Sequence, residues 1–304
     1  MRRRTFLRHS SLLAAAASAA GGARTLAAMS LAPDFPMGYQ LFSVRDALDA
    51  DPLGTLRALV AMGYGHFESY GYDAEADRLY GFAPAELRAR LDELGTRMTS
   101  GHFGFVDFLD RPDDDLRRYT DRCLACAEAL GQRYLVWPIV PEGYRTAAGF
   151  RRLAAKLNVI GAQVSGSGVG FAWHNNGGEF DDLGDGASGY ELVLAEADPE
   201  LVDLQLDLYW LAHDRTDLTP ADLVERYPGR LKLWHVKDMH PVSRDYTELG
   251  AGTIDYHTWL PDAAAAGLEL LYLEQGGNYA EDSMMSAEVS ARYWRGELAG
   301  GMGG

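Results

Sequence analysis

The chain has 304 residues, of which 47% are hydrophobic and 24% are charged, and its formal net charge at pH 7 is −16. This composition is typical of a globular protein. The acidic balance argues against nucleic acid and against an anionic membrane surface as partners, because both are bound by clusters of Lys and Arg. The two cysteines, Cys123 and Cys126, provide no disulfide framework. Their spacing on a predicted helix favours burial by packing over a redox role.

The first 30 residues have the layout of an export signal. The basic start Arg2-Arg3-Arg4-Thr5-Phe6-Leu7 precedes an Ala-rich apolar run over residues 11–20, and small residues follow to Ala28. The run is shorter than the about 20 residues of a membrane span, and its order of charged, apolar and small residues is that of a cleavable signal peptide. The paired arginines resemble a twin-arginine signal. We therefore assign residues 1–30 to a signal peptide and residues 31–304 to the folded domain, and we predict an exported, periplasmic protein with no membrane anchor after cleavage.

Strand-like and helix-like segments alternate along the folded domain. The strand-like segments begin near residues 38, 66, 97, 134, 169, 202, 231 and 270, and the first and seventh are predicted to cover residues 38–43 and 231–238. Between them, a helix is predicted to begin at Asp51, an N-cap residue followed by Pro52, and another is predicted across residues 255–266. Such alternation predicts a parallel sheet. Eight repeats favour a single-domain α/β fold, the (β/α)₈ TIM barrel.

An open, doubly wound sheet is the alternative architecture. That fold usually carries a Gly-rich phosphate-binding turn after its first strand. Here the predicted first strand is followed by Val44-Arg45-Asp46 instead. The closed barrel is therefore the preferred interpretation.

Ionisable side chains cluster at the carboxyl ends of the predicted strands, where barrels of this kind place their active sites. Three consecutive predicted strands carry Asp207, His235 and Glu274 near their carboxyl ends, so these side chains are expected to converge. Oxygen and imidazole ligands without thiolate suit Mn²⁺, Mg²⁺, Co²⁺ or Zn²⁺. Two residues near the end of the fifth strand, His174 and Glu179, compete as the fourth ligand. The alternative is a rim of hydrogen-bonded polar groups that holds no metal.

At these residues the chain resembles the xylose isomerase-like TIM-barrel superfamily, the sugar phosphate isomerase/epimerase group, and within it an exported branch. The matching stretches are Leu41-Phe42-Ser43-Val44-Arg45-Asp46, Trp173-His174-Asn175-Asn176, Asp207-Leu208-Tyr209-Trp210, His235-Val236-Lys237-Asp238 and Glu274-Gln275. The resemblance implies one divalent metal, with Mn²⁺ preferred, held by a fifth-strand residue together with Asp207, His235 and Glu274. His174 stands where related epimerases have Glu, and Asn176 stands where this branch often has a second imidazole.

The resemblance implies a sugar isomerase or epimerase that acts through an enediolate on a free or keto-sugar. We predict Glu274 and Glu179 as the acid/base pair, and we predict that Lys237 and His102 polarise hydroxyls or protonate a leaving group. The residues predicted to orient the substrate are Arg45, Glu68, Asn175 and Trp210. Export and the lack of a clear Arg/Lys clamp disfavour a phosphorylated substrate. A homodimer is a further possibility that the resemblance raises.

Three other functions remain open from the sequence. A keto-glycoside lyase or dehydratase would use the same barrel and the same metal. A non-catalytic periplasmic sugar-binding protein would bind its ligand without a metal. A metal-dependent hydrolase or endonuclease is disfavoured by the net charge of −16.

Overall fold

Eight parallel strands form a closed barrel, as predicted from the β/α alternation. The computed structural model describes residues 36–299 except residues 185, 216 and 261, so the predicted signal peptide lies outside the described residues. The strands are β1 (Gly38–Gln40), β2 (His66–Ser69), β3 (Met98–His102), β4 (Tyr134–Trp137), β5 (Gly170–His174), β6 (Asp203–Asp207), β7 (Leu233–Val236) and β8 (Leu270–Leu273). Each strand pairs with the next in the chain, and β1 pairs with β8 to close the barrel, with Gly38 opposite Tyr272.

Helices connect the strands on the outside of the barrel. The first begins after β1, and Asp51 caps the second as predicted, because its side chain accepts a hydrogen bond from the amide of Gly54 at 3.0 Å. The helices are α1 (Arg45–Ala50), α2 (Pro52–Ala61), α3 (Pro84–Glu93), α4 (Asp113–Leu130), α5 (Ala147–Val164), α6 (Gly189–Glu196), α7 (Leu208–Asp214), α8 (Pro220–Arg226), α9 (Tyr256–Trp259), α10 (Ala263–Ala266) and α11 (Ser283–Tyr293), which continues into a π-helical turn, Trp294–Leu298. Among the described residues, no helix has both the length and the apolar character needed to cross a bilayer.

The structure corrects the bounds of two predicted strands. The strand predicted over residues 38–43 ends at Gln40, and Leu41–Val44 forms a 3₁₀ helix. The side chain of Gln40 accepts a hydrogen bond from the amide of Phe42 at 3.1 Å and so caps that turn. The strand predicted over residues 231–238 is reduced to β7, and Asp238–Met239 instead pairs antiparallel with Tyr246–Thr247.

One predicted helix is also divided in two. The segment predicted as a helix over residues 255–266 contains α9 and α10. The carboxylate of Asp262 accepts hydrogen bonds from the amides of Ala264 and Ala265 at 2.8 and 3.1 Å. A side chain that satisfies the amides at the start of a helix marks a new N-terminus, which is why α10 begins here.

The hydrophobic core has two parts, separated by the barrel wall. The larger part lies between strands and helices and includes Trp137, Trp173 and Trp234. Cys123 and Cys126 are buried there as free thiols, which confirms their predicted packing role. The smaller part fills the inside of the barrel with Tyr134, Val136, Ala172, Leu233, Leu270 and Tyr272. Interior polar side chains such as Gln205 and Asp207 lie toward the carboxyl ends of the strands, whereas Asp203, on the same face of β6, lies at the amino end and contacts Tyr134.

Candidate active site at the carboxyl end of the barrel

The alternation of side chains along each strand places the site residues inside the barrel. Residues two apart on a strand face the same side. On β6 this brings Gln205 and Asp207 to the inside, and Asp207 lies in register with His235 on β7. His235 in turn lies in register with Tyr272 on β8, two residues before Glu274. The predicted convergence of Asp207, His235 and Glu274 is therefore present in the fold.

A buried carboxylate, Glu68 on β2, is the centre of the deeper polar layer. Each of its two oxygens is contacted by several donors: Gln40 Nε2 at 2.7 Å, Ser100 Oγ at 2.6 Å, Gln205 Nε2 at 2.7 Å, His235 Nε2 at 2.6 Å and His102 Nε2 at 3.1 Å. Burial alone would raise the pKa of Glu68, but its interactions with His102 and His235 outweigh burial and hold the pKa well below its usual range. We therefore expect Glu68 to be ionised.

His235 lies between two carboxylates. Its Nδ1 is 2.5 Å from Glu274 Oε2, and its Nε2 contacts Glu68 on the opposite side of the ring. Burial would lower the pKa of His235, but the charges of Glu68 and Glu274 outweigh it and raise the pKa to about 9. An imidazolium with a carboxylate at each nitrogen has no ring atom left for another partner.

The ammonium of Lys237 lies between the carboxylates of Asp207 and Glu274. Its Nζ is 2.6 Å from Asp207 Oδ2 and 2.8 Å from Glu274 Oε2, and its side chain is 2% exposed. Burial would lower the pKa of Lys237, but Asp207 and Glu274 outweigh it and raise the pKa. The ring of Tyr246 lies on another side of the ammonium, with its centroid 5.7 Å from Nζ.

The backbone around Asp207 is held by Asn175, which directly follows β5, and by Trp210 on α7. Asn175 accepts a hydrogen bond from the Asp207 amide at 2.9 Å, and its own amide donates to the Asp207 carbonyl at 3.3 Å. The amide of Trp210 donates to Asp207 Oδ1 at 3.1 Å, which caps α7. The carboxylate therefore presents Oδ2 to Lys237 in a fixed orientation.

His174, at the end of β5, completes the cluster. Its Nε2 is 3.7 Å from Asp207 Oδ2, and its ring centroid is 4.7 Å from that of His235 and 5.0 Å from that of His102. Burial, followed by repulsion from His235 and His102, lowers the pKa of His174 well below its ordinary value. We expect a neutral imidazole, and its Nδ1 has no hydrogen-bond partner in the described part of the chain.

Glu179, predicted both as a ligand and as an acid/base group, lies in the loop after β5. Its Oε2 accepts a hydrogen bond from the amide of Asn176 at 3.1 Å, and burial raises the pKa of its carboxyl to about 8. Within the described residues, two groups bring metal-ligating atoms within 4.8 Å of one another: His102 with His174 and His235, and Asp207 with His235 and Glu274. Glu179 belongs to neither group, so the structure favours His174 as the fifth-strand member of the cluster.

The four residues predicted to orient substrate occupy different positions. Glu68 and Asn175 are buried and hydrogen-bonded within the protein, so they position other groups. Arg45 donates to the Gly276 carbonyl at 3.2 Å and to the Tyr279 hydroxyl at 3.2 Å, which ties the loop after β1 to the loop after β8. Trp210 is half-buried beside Tyr246, at 6.2 Å between ring centroids. Of the four, Trp210 has an aromatic ring that is placed where a sugar can contact it.

Sequence reasoning missed several members of the polar network: Gln40, Ser100, Gln205 and Tyr272. The signal that could have found them is the two-residue period of the strands. Gln205 precedes Asp207 by two, Ser100 precedes His102 by two, and Tyr272 precedes Glu274 by two. A polar residue two positions before a strand-end ligand faces the same interior.

Comparison with known proteins agrees with this architecture. A model of the xylose isomerase-like TIM barrel family matches residues 56–286. The chain belongs to that family. No curated protein sequence matches the chain.

Solved structures show the same fold at low sequence identity. A sugar phosphate isomerase/epimerase from Parabacteroides distasonis superposes with a TM-score of 0.76 at 22% identity, covering 87% of this chain and 95% of that one. A 3-keto-D-glucoside 4-epimerase from E. coli gives 0.62 at 17% identity, covering 86% and 98%. A probable 3-DHS dehydratase from Bacillus anthracis gives 0.65 at 11% identity, covering 86% and 100%. These likenesses establish the xylose isomerase-like fold of this chain.

The metal implied by the resemblance can be tested against this geometry. Asp207, His235 and Glu274 supply oxygen and nitrogen atoms of the types that Mn²⁺ and Zn²⁺ accept. However, Lys237 Nζ contacts the oxygens of Asp207 and Glu274 that converge there, and both ring nitrogens of His235 contact carboxylates. In this arrangement the cationic side chains and the carboxylates pair with one another. The carboxylates could bind a metal only if Lys237 moved away.

Proposed function

We propose that the protein is a sugar isomerase or epimerase that moves a proton at the carbon beside a carbonyl group of a free or keto-sugar. The observation that carries this proposal is the convergence of Glu274, Lys237 and Asp207 at the mouth of the barrel. Glu274 and the nearby His102, which contacts Glu68, are the more accessible members of the cluster, with side chains 9% and 13% exposed. Burial would raise the pKa of Glu274, but Lys237 and His235 outweigh burial and hold the pKa well below its usual range, so this carboxylate is ionised and free to accept a proton. The cation beside it can balance negative charge on a carbonyl oxygen.

In the proposed reaction, Glu274 takes the proton from the carbon beside the carbonyl. The electron pair of the broken C–H bond forms a C=C double bond, the π pair of the carbonyl moves to its oxygen, and an enediolate results. The ammonium of Lys237 balances the negative charge that develops on that oxygen. Return of a proton to the neighbouring carbon, with transfer of a proton from the hydroxyl to the former carbonyl oxygen, completes an isomerisation. Return to the opposite face of the same carbon completes an epimerisation.

We assign the second acid/base position to His102 in place of Glu179. His102 ends β3, which is separated from β8 by β1 and β2 around the barrel. The two partly exposed groups, His102 and Glu274, therefore approach a bound sugar from different sides. Glu179 lies in the loop after β5, where it accepts a hydrogen bond from Asn176. Among the described residues, it belongs to neither group of converging ligand atoms.

The predicted Mn²⁺ stays a prediction, as do export and dimerisation. The predicted ligands Asp207, His235, Glu274 and His174 could hold a divalent metal only if Lys237 moved away and His235 lost one carboxylate contact, and the metal would then polarise the sugar carbonyl. Export by the twin-arginine route is tested by the N-terminal sequence of the mature protein recovered from periplasm. A mature chain that begins near residue 30 would support it.

The experiment that tests the proposed function is hydrogen exchange of substrate in deuterated water. A panel of aldoses, ketoses and 3-keto-glucosides is incubated with the protein and followed by proton NMR. We expect one sugar class to take up deuterium at the carbon beside the carbonyl, with the rate reduced by about 10²–10⁴-fold in Glu274→Gln. The matched control is Glu93→Gln, because Glu93 is 66% exposed and pairs with Arg90 on the surface of α3.

Two results would redirect this proposal. Binding of a sugar with no exchange under any condition would refute it and favour the sugar-binding protein. Exchange together with loss of a leaving group would favour the lyase or dehydratase, which shares the first proton abstraction.

A further inference from the structure

The position between Asp207 and Glu274 already holds a positive charge. We propose that Lys237 is the built-in cation of this site and that it takes the place of the divalent metal implied by the family resemblance. The catalytic part of this inference rests on the proposed function. Its structural part, the exclusion of metal, can be tested without any substrate.

The geometry gives the first argument. Lys237 Nζ contacts Asp207 Oδ2 and Glu274 Oε2 at 2.6 and 2.8 Å. A metal bound to both oxygens would lie about 2.0–2.2 Å from each, so it would occupy the volume that the ammonium now fills. The two cations are therefore mutually exclusive at these oxygens.

The balance of charge gives the second argument. Three carboxyl groups, Glu68, Asp207 and Glu274, are contacted by His235 and Lys237, and Glu68 is also contacted by His102. A buried ammonium is stable only where carboxylates pair with it, and here it has two. A divalent ion would enter against the charges of both cations at short range, which makes its binding unfavourable while Lys237 stays in place.

The chemistry of an ammonium gives the third argument. Lys237 has three N–H donors, and its two carboxylate contacts leave one of them for another acceptor. A sugar carbonyl oxygen at this third position would accept that hydrogen bond and be polarised by the positive charge. This is the electrophilic part of proton abstraction, supplied by the chain itself.

The first test measures metal binding by the full chain without substrate. Wild type, purified from cells grown with Mn²⁺ and dialysed, is analysed for bound metals and titrated with Mn²⁺ by electron paramagnetic resonance. We expect well under one metal per wild-type chain. In Lys237→Met, which leaves Asp207 and Glu274 without their shared cation, we expect Mn²⁺ to bind at least about tenfold more tightly.

Two matched variants control for general effects on folding and charge. Lys156→Met removes another buried lysine, which contacts Asp113 at 2.7 Å far from the cluster, and it should bind Mn²⁺ as weakly as wild type. Lys237→Arg keeps the positive charge and should also exclude Mn²⁺. One metal per wild-type chain that survives dialysis and is lost in Asp207→Asn would overturn the inference, and this measurement does not depend on whether Lys237→Met folds.

Exchange of sugar hydrogens in deuterated water with EDTA separates this inference from the proposed function. Exchange that continues in EDTA and is lost in Lys237→Met would support both. Exchange that appears only after Mn²⁺ is added would overturn the built-in cation and leave the proposed function standing. If no sugar exchanges with or without Mn²⁺, the proposed function fails, and the Mn²⁺ titration still decides whether Lys237 excludes metal.

Discussion

Replacing Glu68 with Gln is the sharpest test of the polar network beneath the site. The amide of Gln has the shape of the carboxylate, but one of its two ends carries N–H donors in place of an acceptor. Glu68 Oε2 accepts from Gln40, and Oε1 accepts from Gln205 and Ser100. In either orientation, the new NH₂ group therefore faces another donor.

The expected size of the effect follows from the burial and charge of this residue. Glu68 is fully buried and lies 2.6 Å from His235 Nε2. Removing one partner of a buried ion pair costs about 3–5 kcal/mol, and we expect Glu68→Gln to lose that much free energy of unfolding. Ser100→Ala removes only one donor to the carboxylate, at 2.6 Å, and should cost about 1.5–3 kcal/mol.

Urea unfolding at pH 7, followed by circular dichroism, measures both changes. Glu93→Gln serves as the control, because an exposed ion pair contributes little to stability. A Glu68→Gln protein whose stability lies within about 1 kcal/mol of wild type at an equal m-value would show that Glu68 is not an ionised centre of the network.

Three further changes test other parts of the structure. Asp238 accepts hydrogen bonds from the amides of Gly250, Gly252 and Ile254 at 2.9, 3.1 and 3.2 Å. Asp238→Ala should therefore cost about 1–3 kcal/mol in urea unfolding and speed proteolysis of that loop, and unchanged cleavage would count against it. The Glu179 carboxyl has a pKa of about 8 in the fold against an ordinary value of 4.5, so the native state binds more protons between these values and stability falls as pH rises. Between pH 5 and 8, the free energy of unfolding of wild type should fall by about 1.4 kcal/mol per pH unit because of this group, and that of Glu179→Gln should not. Parallel pH profiles of the two proteins would contradict the buried carboxyl. Gly177 has a φ of +99°, and a Cβ there would lie 2.6 Å from Trp210 Cε3. Gly177→Ala should displace Trp210 and raise KM for the sugar more than it lowers kcat, whereas an unchanged KM would remove Trp210 from the binding surface.

The barrel and the strand-end cluster could be predicted from the sequence because both depend on periodic patterns. Regular alternation of strands and helices gave the closed fold, and strand ends gave Asp207, His235 and Glu274. The ion pairs of Lys237 were not predicted, because strand period shows which side a residue faces and gives no distance to its neighbours. The position of Glu179 was not predicted for a different reason, since it lies in a loop that has no period.

Strand ends were predicted less accurately because local capping decides them. Gln40 ends β1 because its side chain accepts a hydrogen bond from the amide of Phe42, which no apolar pattern reveals. The same holds for Asp262 at the start of α10. In both cases a polar side chain competes with the regular backbone pairing of the predicted element.

The closure of the barrel has a consequence for when the chemistry can assemble during folding. Because β1 pairs with β8, one edge of the first strand stays unpaired until the last strand has formed. The polar network crosses this seam, because Glu68 on β2 and Glu274 after β8 both hold His235. A chain that stops before β8 would expose two unpaired edges and leave His235 without one carboxylate. Long-range pairing of this kind forms late. Assembly of the ion-pair cluster therefore marks a completed barrel. A chemical probe of the accessibility of Lys237 would show when the barrel closes, without any assay of activity.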